Sequence, residues 1–205
     1  MPLILTEQSK QKELFLWEMS EKIDDYQRIT PSDIFENIVQ KTKLEKRILE
    51  KLSQVMLLNK AKIPYEDVLY GSNGKPFLKN GKHLSFSHSG TLSSLLIDEK
   101  NCGLDIEYPS NKIERIAKKF VHENEFELLN KGDNLYWAWN IKEAIFKYFG
   151  EGVTFKEDIF IKELRPELKS AVALYSGKHG RGIFELKLMQ IKKYYLAYTK
   201  TYFPE

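Results

Sequence analysis

The 205-residue sequence lacks several features that mark common classes of protein. It contains one cysteine, so no disulfide can form within the chain, and we expect a reducing, cytoplasmic environment. No stretch approaches the roughly twenty apolar residues of a membrane span, and the first residues show no basic segment of a signal peptide. We therefore expect a soluble protein with no membrane partner.

Charge and motif patterns exclude further classes. The formal net charge of +3 is too small to argue for a nucleic-acid partner, although it is compatible with an acidic partner or an anionic cofactor. The four histidines are dispersed and give no zinc spacing. No glycine pattern of a phosphate loop or dinucleotide fold is present. Cys102, beside a predicted strand, is more typical of a small buried residue than of a thiol nucleophile.

A predicted helix over about 134–149, closed by Gly150, combines an apolar face with a charged one. The apolar residues follow the spacing of a helix packed on a core: Ile141, Ala144, Ile145 and Tyr148. The other side carries a carboxylate between two ammonium groups, beside an indole: Glu143, Lys142, Lys147 and Trp139. Most Glu–Lys pairs at this spacing are simply solvated, and the indole could equally belong to the core.

A predicted strand, Gly103-Leu104-Asp105-Ile106-Glu107, alternates apolar and acidic residues. Asp105 and Glu107 therefore share one face, where they repel each other unless a cation lies between them. With Glu143 as a third oxygen donor, they form the kind of site that magnesium prefers. Without a partner, the same two acids would be the wet face of the strand.

Four short motifs follow one another between about residues 70 and 150. They are Gly74-Lys75-Pro76, Leu84-Ser85-Phe86-Ser87-His88-Ser89-Gly90, Gly103-Leu104-Asp105-Ile106-Glu107 and Trp139-Asn140-Ile141-Lys142-Glu143-Ala144. In this order and with these spacings, they resemble the 4'-phosphopantetheinyl transferase superfamily in its longer, surfactin-synthetase-activating form. The flanking sequence resembles that family only in general pattern.

The resemblance implies an α+β fold of two similar halves, residues 1–104 and 105–205, packed as a pseudo-dimer with the active site between them. The local patterns predict a strand at 14–19, a helix after Thr30-Pro31 and an amphipathic helix over about 43–59. They also predict strands at 84–88, 91–97 and 101–107, helices at about 111–120 and 122–130, and a strand-rich region over 153–202 with a hairpin-like break at 177–182.

The resemblance also implies the reaction: transfer of 4'-phosphopantetheine from coenzyme A to a serine of an apo acyl or peptidyl carrier protein. Asp105, Glu107 and Glu143 would hold Mg²⁺, and Lys142 and Lys147 would pair with phosphate oxygens. Lys142 and Glu143 are the catalytic candidates, and Glu143 is also the candidate general base, directly or through a water bound to the metal.

The nucleotide end of coenzyme A is expected to contact Lys75, Ser87 and His88, by the same resemblance. Basic residues of the helix over 43–59 would contribute: Lys43, Lys46, Arg47 and Lys51. An acidic carrier protein would dock on the basic face of the segment 111–120, which carries Lys112, Arg115, Lys118 and Lys119. Those cations could equally be a solvated face over a core-facing apolar stripe.

Two other functions remain open at this point. The same three carboxylates could serve a magnesium-dependent phosphohydrolase acting on a nucleotide. The chain could also bind coenzyme A or a carrier protein without catalysis. Because one chain would contain both halves of the active site, we expect a monomer. The sequence does not indicate which carrier protein is modified.

Overall fold

The computed structural model describes residues 3–9, 11–129 and 132–205, with Leu5 described by its backbone alone. Its first part forms a six-stranded antiparallel sheet in the order β1-β2-β6-β5-β4-β3. The strands are β1 (Leu3–Gln8), β2 (Lys12–Glu18), β3 (Val68–Tyr70), β4 (Pro76–Leu78), β5 (His83–Ser89) and β6 (Leu92–Asp98). The predicted strands at 14–19, 84–88 and 91–97 are thus confirmed.

Three helices cover one face of this sheet: α1 (Ile23–Ile29), α2 (Ser32–Lys41) and α3 (Glu45–Lys60). The apolar side of α3 is buried as its periodicity predicts, through Ile48, Leu52, Val55 and Met56. A 3-10 turn, Tyr65–Asp67, leads into β3. The predicted helix after Thr30-Pro31 is confirmed as α2. The same pattern favours Thr30 as the N-cap residue and Pro31 as the first helical residue, and this is wrong: the helix begins one residue later, with Pro31 in the cap position and no side-chain cap bond.

The second sheet has five antiparallel strands in the order β7-β11-β10-β9-β8. They are β7 (Leu104–Glu107), β8 (Ile159–Arg165), β9 (Ser170–Gly177), β10 (Gly180–Ile191) and β11 (Tyr194–Pro204). Burial alternates along β10, as expected for a strand with one face on a core. The predicted break between Gly177 and Gly182 is confirmed as the turn between β9 and β10.

The helices of this second part are α4 (Asn111–Ile116), α5 (Phe126–Leu129), α6 (Asn134–Phe149) and α7 (Phe155–Asp158). Helix α6 has the predicted bounds and ends at Gly150, whose φ of 88° is left-handed. The helices predicted over 111–120 and 122–130 are shorter, because 3-10 turns occupy Ala117–Lys119 and Glu123–Glu125. Another 3-10 turn is Pro166–Leu168. Asn130 lies outside the described residues.

The two sheets meet through a shared apolar layer. Leucines of β2 and β6 pack against β7 and β11, and the layer contains Leu14, Leu16, Leu96, Ile106 and Leu196. The chain passes from one sheet to the other through residues 99–103, so the predicted boundary at 104/105 falls inside β7. Gly103 is required here, because a Cβ atom would lie 1.9 Å from the carbonyl oxygen of Ala144 in α6.

This close approach brings β7 and α6 together beside β5, where the predicted site residues lie. The α+β class is confirmed. None of the helices in the described part of the chain is both long and apolar enough to cross a membrane.

Candidate active site

The two acids of β7 lie at the junction of the two sheets and not on a wet face. Asp105 is 3% exposed, while Glu107 is partly buried. The alternative of a solvated acidic face therefore does not hold for Asp105, because β5 covers the edge of β7. Ser87 donates a hydrogen bond of 2.8 Å to Asp105 Oδ1, and Ser89 donates one of 2.6 Å to Glu107 Oε2.

Lys147 of α6 joins this cluster, as predicted from the helix face. Its Nζ lies 2.7 Å from Asp105 Oδ1 and 2.9 Å from the hydroxyl of Ser87. The lysine is 28% exposed, so one side of its ammonium group remains accessible from the cleft. A partly exposed cation held by a buried carboxylate is a suitable point charge for a phosphate group.

Glu143, one helical turn before Lys147, shares the field of the β7 acids. Burial raises the pKa of Glu143 to about 7, and the negative charges of Asp105 and Glu107 add to this effect against the opposing charge of Lys147. Burial also raises the pKa of Glu107, opposed by the hydrogen bond from Ser89. Two carboxyl groups with raised pKa values, beside a buried aspartate, are a site for a cation or for a proton.

These residues fit a magnesium ion in their chemistry. Asp105 Oδ2 is buried and has no hydrogen-bond partner among the described residues, which is a costly state for a carboxylate oxygen. The available donors are carboxylates, which suit a hard cation. Within the same described part of the chain, no three His, Cys, Asp or Glu side chains converge closely enough to hold a metal ion. At least one of the three acids would therefore have to move for all of them to bind one ion.

The prediction that Lys142 reaches phosphate oxygens is wrong. Its side chain is fully buried, and Nζ donates to Glu125 Oε2 (2.7 Å) and to the carbonyls of Phe120 (2.7 Å), Phe155 (3.1 Å) and Ile159 (2.9 Å). The helix turns this residue away from Glu143 and Lys147, into the core of the second half. Lys142 therefore anchors α6 to its neighbours and does not line the cleft.

Glu125, the partner of Lys142, had no role in the sequence analysis. It is fully buried and also accepts the backbone N–H groups of His122 and Ile161. A buried charge needs a paired and fully hydrogen-bonded environment, and this pair has one. The sequence predicts a continuous helix over 122–130, whereas Glu123–Glu125 form a 3-10 turn. The helical pattern therefore did not indicate that Glu125 points inward. Trp139 likewise packs on the core, 5.2 Å from the ring of Phe120.

Lys75 lies on the turn between β3 and β4, but its ammonium group is engaged by the protein. It contacts Asn101 and the backbone carbonyls of Cys102 (3.3 Å) and Tyr148 at the end of α6. Burial lowers the pKa of Lys75 to about 8. Lys75 thus links the β3–β4 turn to the connection between the sheets and to the end of α6, whereas an open placement towards a phosphate was expected.

His88 lies at the end of β5 against helix α3. Its Nε2 is 3.3 Å from Glu50 Oε2, and Glu50 also pairs with Arg47 at 2.9 Å and with Lys46 at 3.9 Å. Burial lowers the pKa of His88, and the charge of Glu50 partly opposes that effect. Glu50 is 3% exposed, and sequence analysis missed it because the helix face was judged by its cations alone.

A cavity of about 310 Å³ opens beside these residues, between the β3–β4 turn, β5 and the end of α6. Its lining combines aromatic rings with two lysines: Tyr70, Lys75, Phe86, Phe146 and Lys147. Lys147 therefore faces both the cavity and the carboxylates. A ligand with an aromatic ring at one end and phosphates at the other would find suitable surfaces along this path.

The fold and the cleft define a two-sheet α+β protein with a carboxylate and lysine site between its sheets. Residues 101–199 match the family model described as the 4'-phosphopantetheinyl transferase superfamily. This segment contains the last two of the four motifs, and with them the acids of β7, Glu143 and Lys147. Together with the relatives described next, the match confirms the resemblance.

Curated relatives agree with this match. The chain is 35% identical over 112 residues to 4'-phosphopantetheinyl transferase gsp of Aneurinibacillus migulanus, covering 51% of this chain and 47% of that protein. It is 30% identical over 129 residues to 4'-phosphopantetheinyl transferase Sfp of Bacillus subtilis, covering 60% and 57% respectively. A third relative is 4'-phosphopantetheinyl transferase HetI of a Nostoc species, 33% identical over 106 residues, covering 45% of each chain. The chain spans about half the length of the curated relatives it matches.

The raised pKa of Glu143 predicts a pH effect on the metal-free protein. Between pH 4.5 and 7 the folded protein holds a proton on Glu143 that the unfolded chain has released, so the free energy of unfolding should fall as pH rises through this window. Glu143→Gln should remove this contribution. Urea unfolding of both proteins in EDTA at pH 5, 6, 7 and 8 measures the difference. Parallel pH profiles for the two proteins would contradict the pKa assignment.

Proposed function

We propose that this protein transfers the 4'-phosphopantetheine group of coenzyme A to a serine of an apo acyl or peptidyl carrier protein. The observation that carries the proposal is the junction of the two sheets. There a buried Asp105, one oxygen of which has no partner among the described residues, lies beside Lys147 and Glu143. The names of the relatives support the same reaction. A monomer, acting in the cytoplasm without nucleic acid or membrane, suffices for it.

In this reaction the serine oxygen of the carrier forms a bond to the β-phosphorus of coenzyme A. The bond from that phosphorus to the bridging oxygen breaks, and its electron pair leaves with adenosine 3',5'-bisphosphate. Phosphoryl transfer needs charge neutralisation and alignment more than covalent help from the protein. Lys147 supplies a fixed positive charge at the junction of the cavity and the carboxylates.

Glu143 is the proposed acceptor of the serine proton. A carboxylate whose pKa is about 7 can take a proton near neutral pH more readily than an ordinary glutamate. Asp105, Glu107 and Glu143 would hold Mg²⁺, which when bound neutralises charge on the pyrophosphate. Asp105 would offer its unpaired Oδ2, while its Oδ1 keeps the contacts to Ser87 and Lys147. Lys142 has no direct part in this scheme.

We propose further that the two sheets with their helices are the halves of a pseudo-dimer. The division falls in the connection at 99–103, which lies a few residues before the boundary expected from sequence. Each half has its own apolar cluster, and a third cluster joins them. The proposed active site lies on this joint, so its geometry depends on how the halves dock.

The release of adenosine 3',5'-bisphosphate from coenzyme A distinguishes the proposed reaction from its alternatives. Chromatography should show release with Mg²⁺ and an apo carrier protein, and none when the carrier's serine is replaced by alanine. Release without any carrier would support the phosphohydrolase alternative. Binding of coenzyme A with no release from a panel of apo carriers would support the non-catalytic alternative.

His88 is the proposed contact of the nucleotide end of coenzyme A, together with the cations around Glu50. His88→Ala should raise KM for coenzyme A about tenfold, with a smaller fall in kcat, because it removes a hydrogen bond to a charged group. The preference for coenzyme A over 3'-dephospho-coenzyme A should shrink. His83→Ala, at the other end of β5, is the matched control. An unchanged preference in His88→Ala would exclude His88 from the nucleotide site.

The carrier protein is proposed to dock on the segment 111–129. A groove of about 500 Å³ lies there, and its lining includes Ala117, Lys118, Val121, Phe126 and Leu129. Phe126 is 59% exposed, an unusual state for a large aromatic side chain. The segment is tied to α6 through the bond from Lys142 to the carbonyl of Phe120, next to Glu143. An acidic partner on this groove would bring its serine near the proposed base.

Lys118→Glu combined with Lys119→Glu should raise KM for the carrier protein roughly fivefold and leave KM for coenzyme A unchanged. Both lysines are exposed, so the effect should shrink as salt screens exposed charges over about 10 Å at 0.1 M. Lys192→Glu with Lys193→Glu, in the turn between β10 and β11, makes the same charge change elsewhere. Equal carrier kinetics in the two double variants would place the docking surface on another face.

A further inference from the structure

Three serines of β5 face β7 across the joint between the halves. They are spaced two residues apart and so share one side of the strand; we refer to Ser85, Ser87 and Ser89 as the serine row. Each hydroxyl oxygen accepts a backbone N–H group of the second half. The donors are, in order, Leu104 (2.9 Å), Ile106 (3.2 Å) and Tyr108 (3.0 Å).

The serine row provides the hydrogen-bond acceptors that a neighbouring strand would provide to β7. β7 is the edge strand of its sheet, paired on one side with β11, and the N–H groups of its other edge need partners once they are buried. Side-chain hydroxyls supply them at the spacing of alternate residues. The register of the two halves is therefore fixed by hydrogen bonds as well as by the apolar layer.

Two members of the row also donate to carboxylates. A hydroxyl can accept and donate at the same time, and Ser87 donates to Asp105 Oδ1 while Ser89 donates to Glu107 Oε2. Ser85 has the same backbone contact to β7 but no bond to a carboxylate within the described part of the chain. The row thus contains two serines that hold acids and one that does not.

We infer that Ser87 and Ser89 are positioning residues, which hold one oxygen of each β7 carboxylate so that the acids can bind a cation together. At Asp105 this leaves Oδ2 buried and unpaired, while Oδ1 is held by Ser87 and Lys147. Hydroxyl bonds to carboxylates are short and directional, and here they fix the rotation of each acid. The inference rests on the proposed magnesium site, and it assigns Ser87 a role towards the metal ligands.

Titration with Mn²⁺ alone, followed by electron paramagnetic resonance, tests this role without coenzyme A or turnover. Ser89→Ala should weaken Mn²⁺ binding by about 10- to 100-fold, as expected when the hydrogen-bond partner of a metal ligand is removed. Ser89→Thr keeps the hydroxyl and should restore binding to within a few-fold of the parent protein. Ser85→Ala removes an equivalent contact to β7 and should lower the melting temperature without changing the Kd for Mn²⁺.

Three results would overturn the inference. The first is an unchanged Kd for Mn²⁺ in Ser89→Ala, and the second is no Mn²⁺ binding by the parent protein. The third is equal weakening of Mn²⁺ binding in Ser85→Ala and Ser89→Ala, because the row would then act only through the docking of the halves. Transfer is scored in a separate assay with a carrier protein. If Mn²⁺ binding depends on Ser89 but the parent protein transfers nothing, the proposed reaction is contradicted while the positioning role of Ser87 and Ser89 stands.

Discussion

Replacing Asp105 with asparagine is expected to reduce kcat/KM for transfer by about a thousandfold. The amide keeps the shape of the side chain and can still accept a hydrogen bond from Ser87, but it removes the charge from the buried centre of the site. Loss of one charged metal ligand costs several kcal/mol of transition-state stabilisation, and each 1.36 kcal/mol corresponds to about a factor of ten in rate. Steady-state kinetics at saturating Mg²⁺ measure the loss.

Asp98→Asn is the matched control for this substitution. Asp98 is 2% exposed and pairs with Lys12 on another part of the first sheet, so it is also a buried carboxylate held by a lysine. Both variants should lose stability in thermal unfolding, because each leaves a lysine without its partner. Only Asp105→Asn should lose transfer. Similar kinetics for the two variants would show that Asp105 acts through the fold and not through the reaction.

Replacing Glu143 with glutamine should lower kcat by about 10²- to 10⁴-fold, the usual contribution of a positioned proton acceptor. Binding of coenzyme A should change much less, because Lys147 and the aromatic lining of the cavity remain. The folded state should not be weakened at neutral pH, since the substitution removes the repulsion of Glu143 by Asp105 and Glu107. A variant with lower kcat and an intact melting temperature is therefore expected.

Isothermal titration of coenzyme A against Glu143→Gln separates binding from chemistry. The account predicts a Kd close to that of the parent protein beside the large loss of kcat. A kcat within a few-fold of the parent protein would exclude Glu143 as the base and as an essential metal ligand. An equal loss of binding and of rate would instead show that Glu143 acts mainly in holding the cofactor.

The local sequence pattern was sufficient to predict α6 and β7, the helix and the strand that carry the candidate site residues. Helix α6 has the predicted bounds because its apolar spacing and the terminal Gly150 depend only on nearby residues. The strand with Asp105 and Glu107 was also predicted. The surroundings of these residues were harder to predict, because a strand with alternating acids is expected to face water unless another element covers it. Here β5 covers it.

Side-chain placement depended on contacts that are distant in sequence. Lys142 was grouped with Lys147 by helical spacing, yet it is buried by its bonds to Glu125 and to carbonyls from three other segments. The carboxylates that accept bonds from Ser87 and Ser89 lie on a strand of the other sheet, 18 residues away in each case. No periodicity within one element could indicate such contacts. The contacts of Lys142 follow from packing among the helices and strands around the second sheet, and those of Ser87 and Ser89 follow from the meeting of the two sheets.

The mass of an apo carrier protein, before and after incubation with this protein, coenzyme A and Mg²⁺, tests the central claim most directly. If the proposed transfer occurs, the carrier gains the mass of one phosphopantetheine group, and fragmentation places the gain on its modified serine. The gain should disappear in EDTA and with Glu143→Gln. Apo carriers of several classes that stay unmodified by a folded protein able to bind coenzyme A would contradict the account.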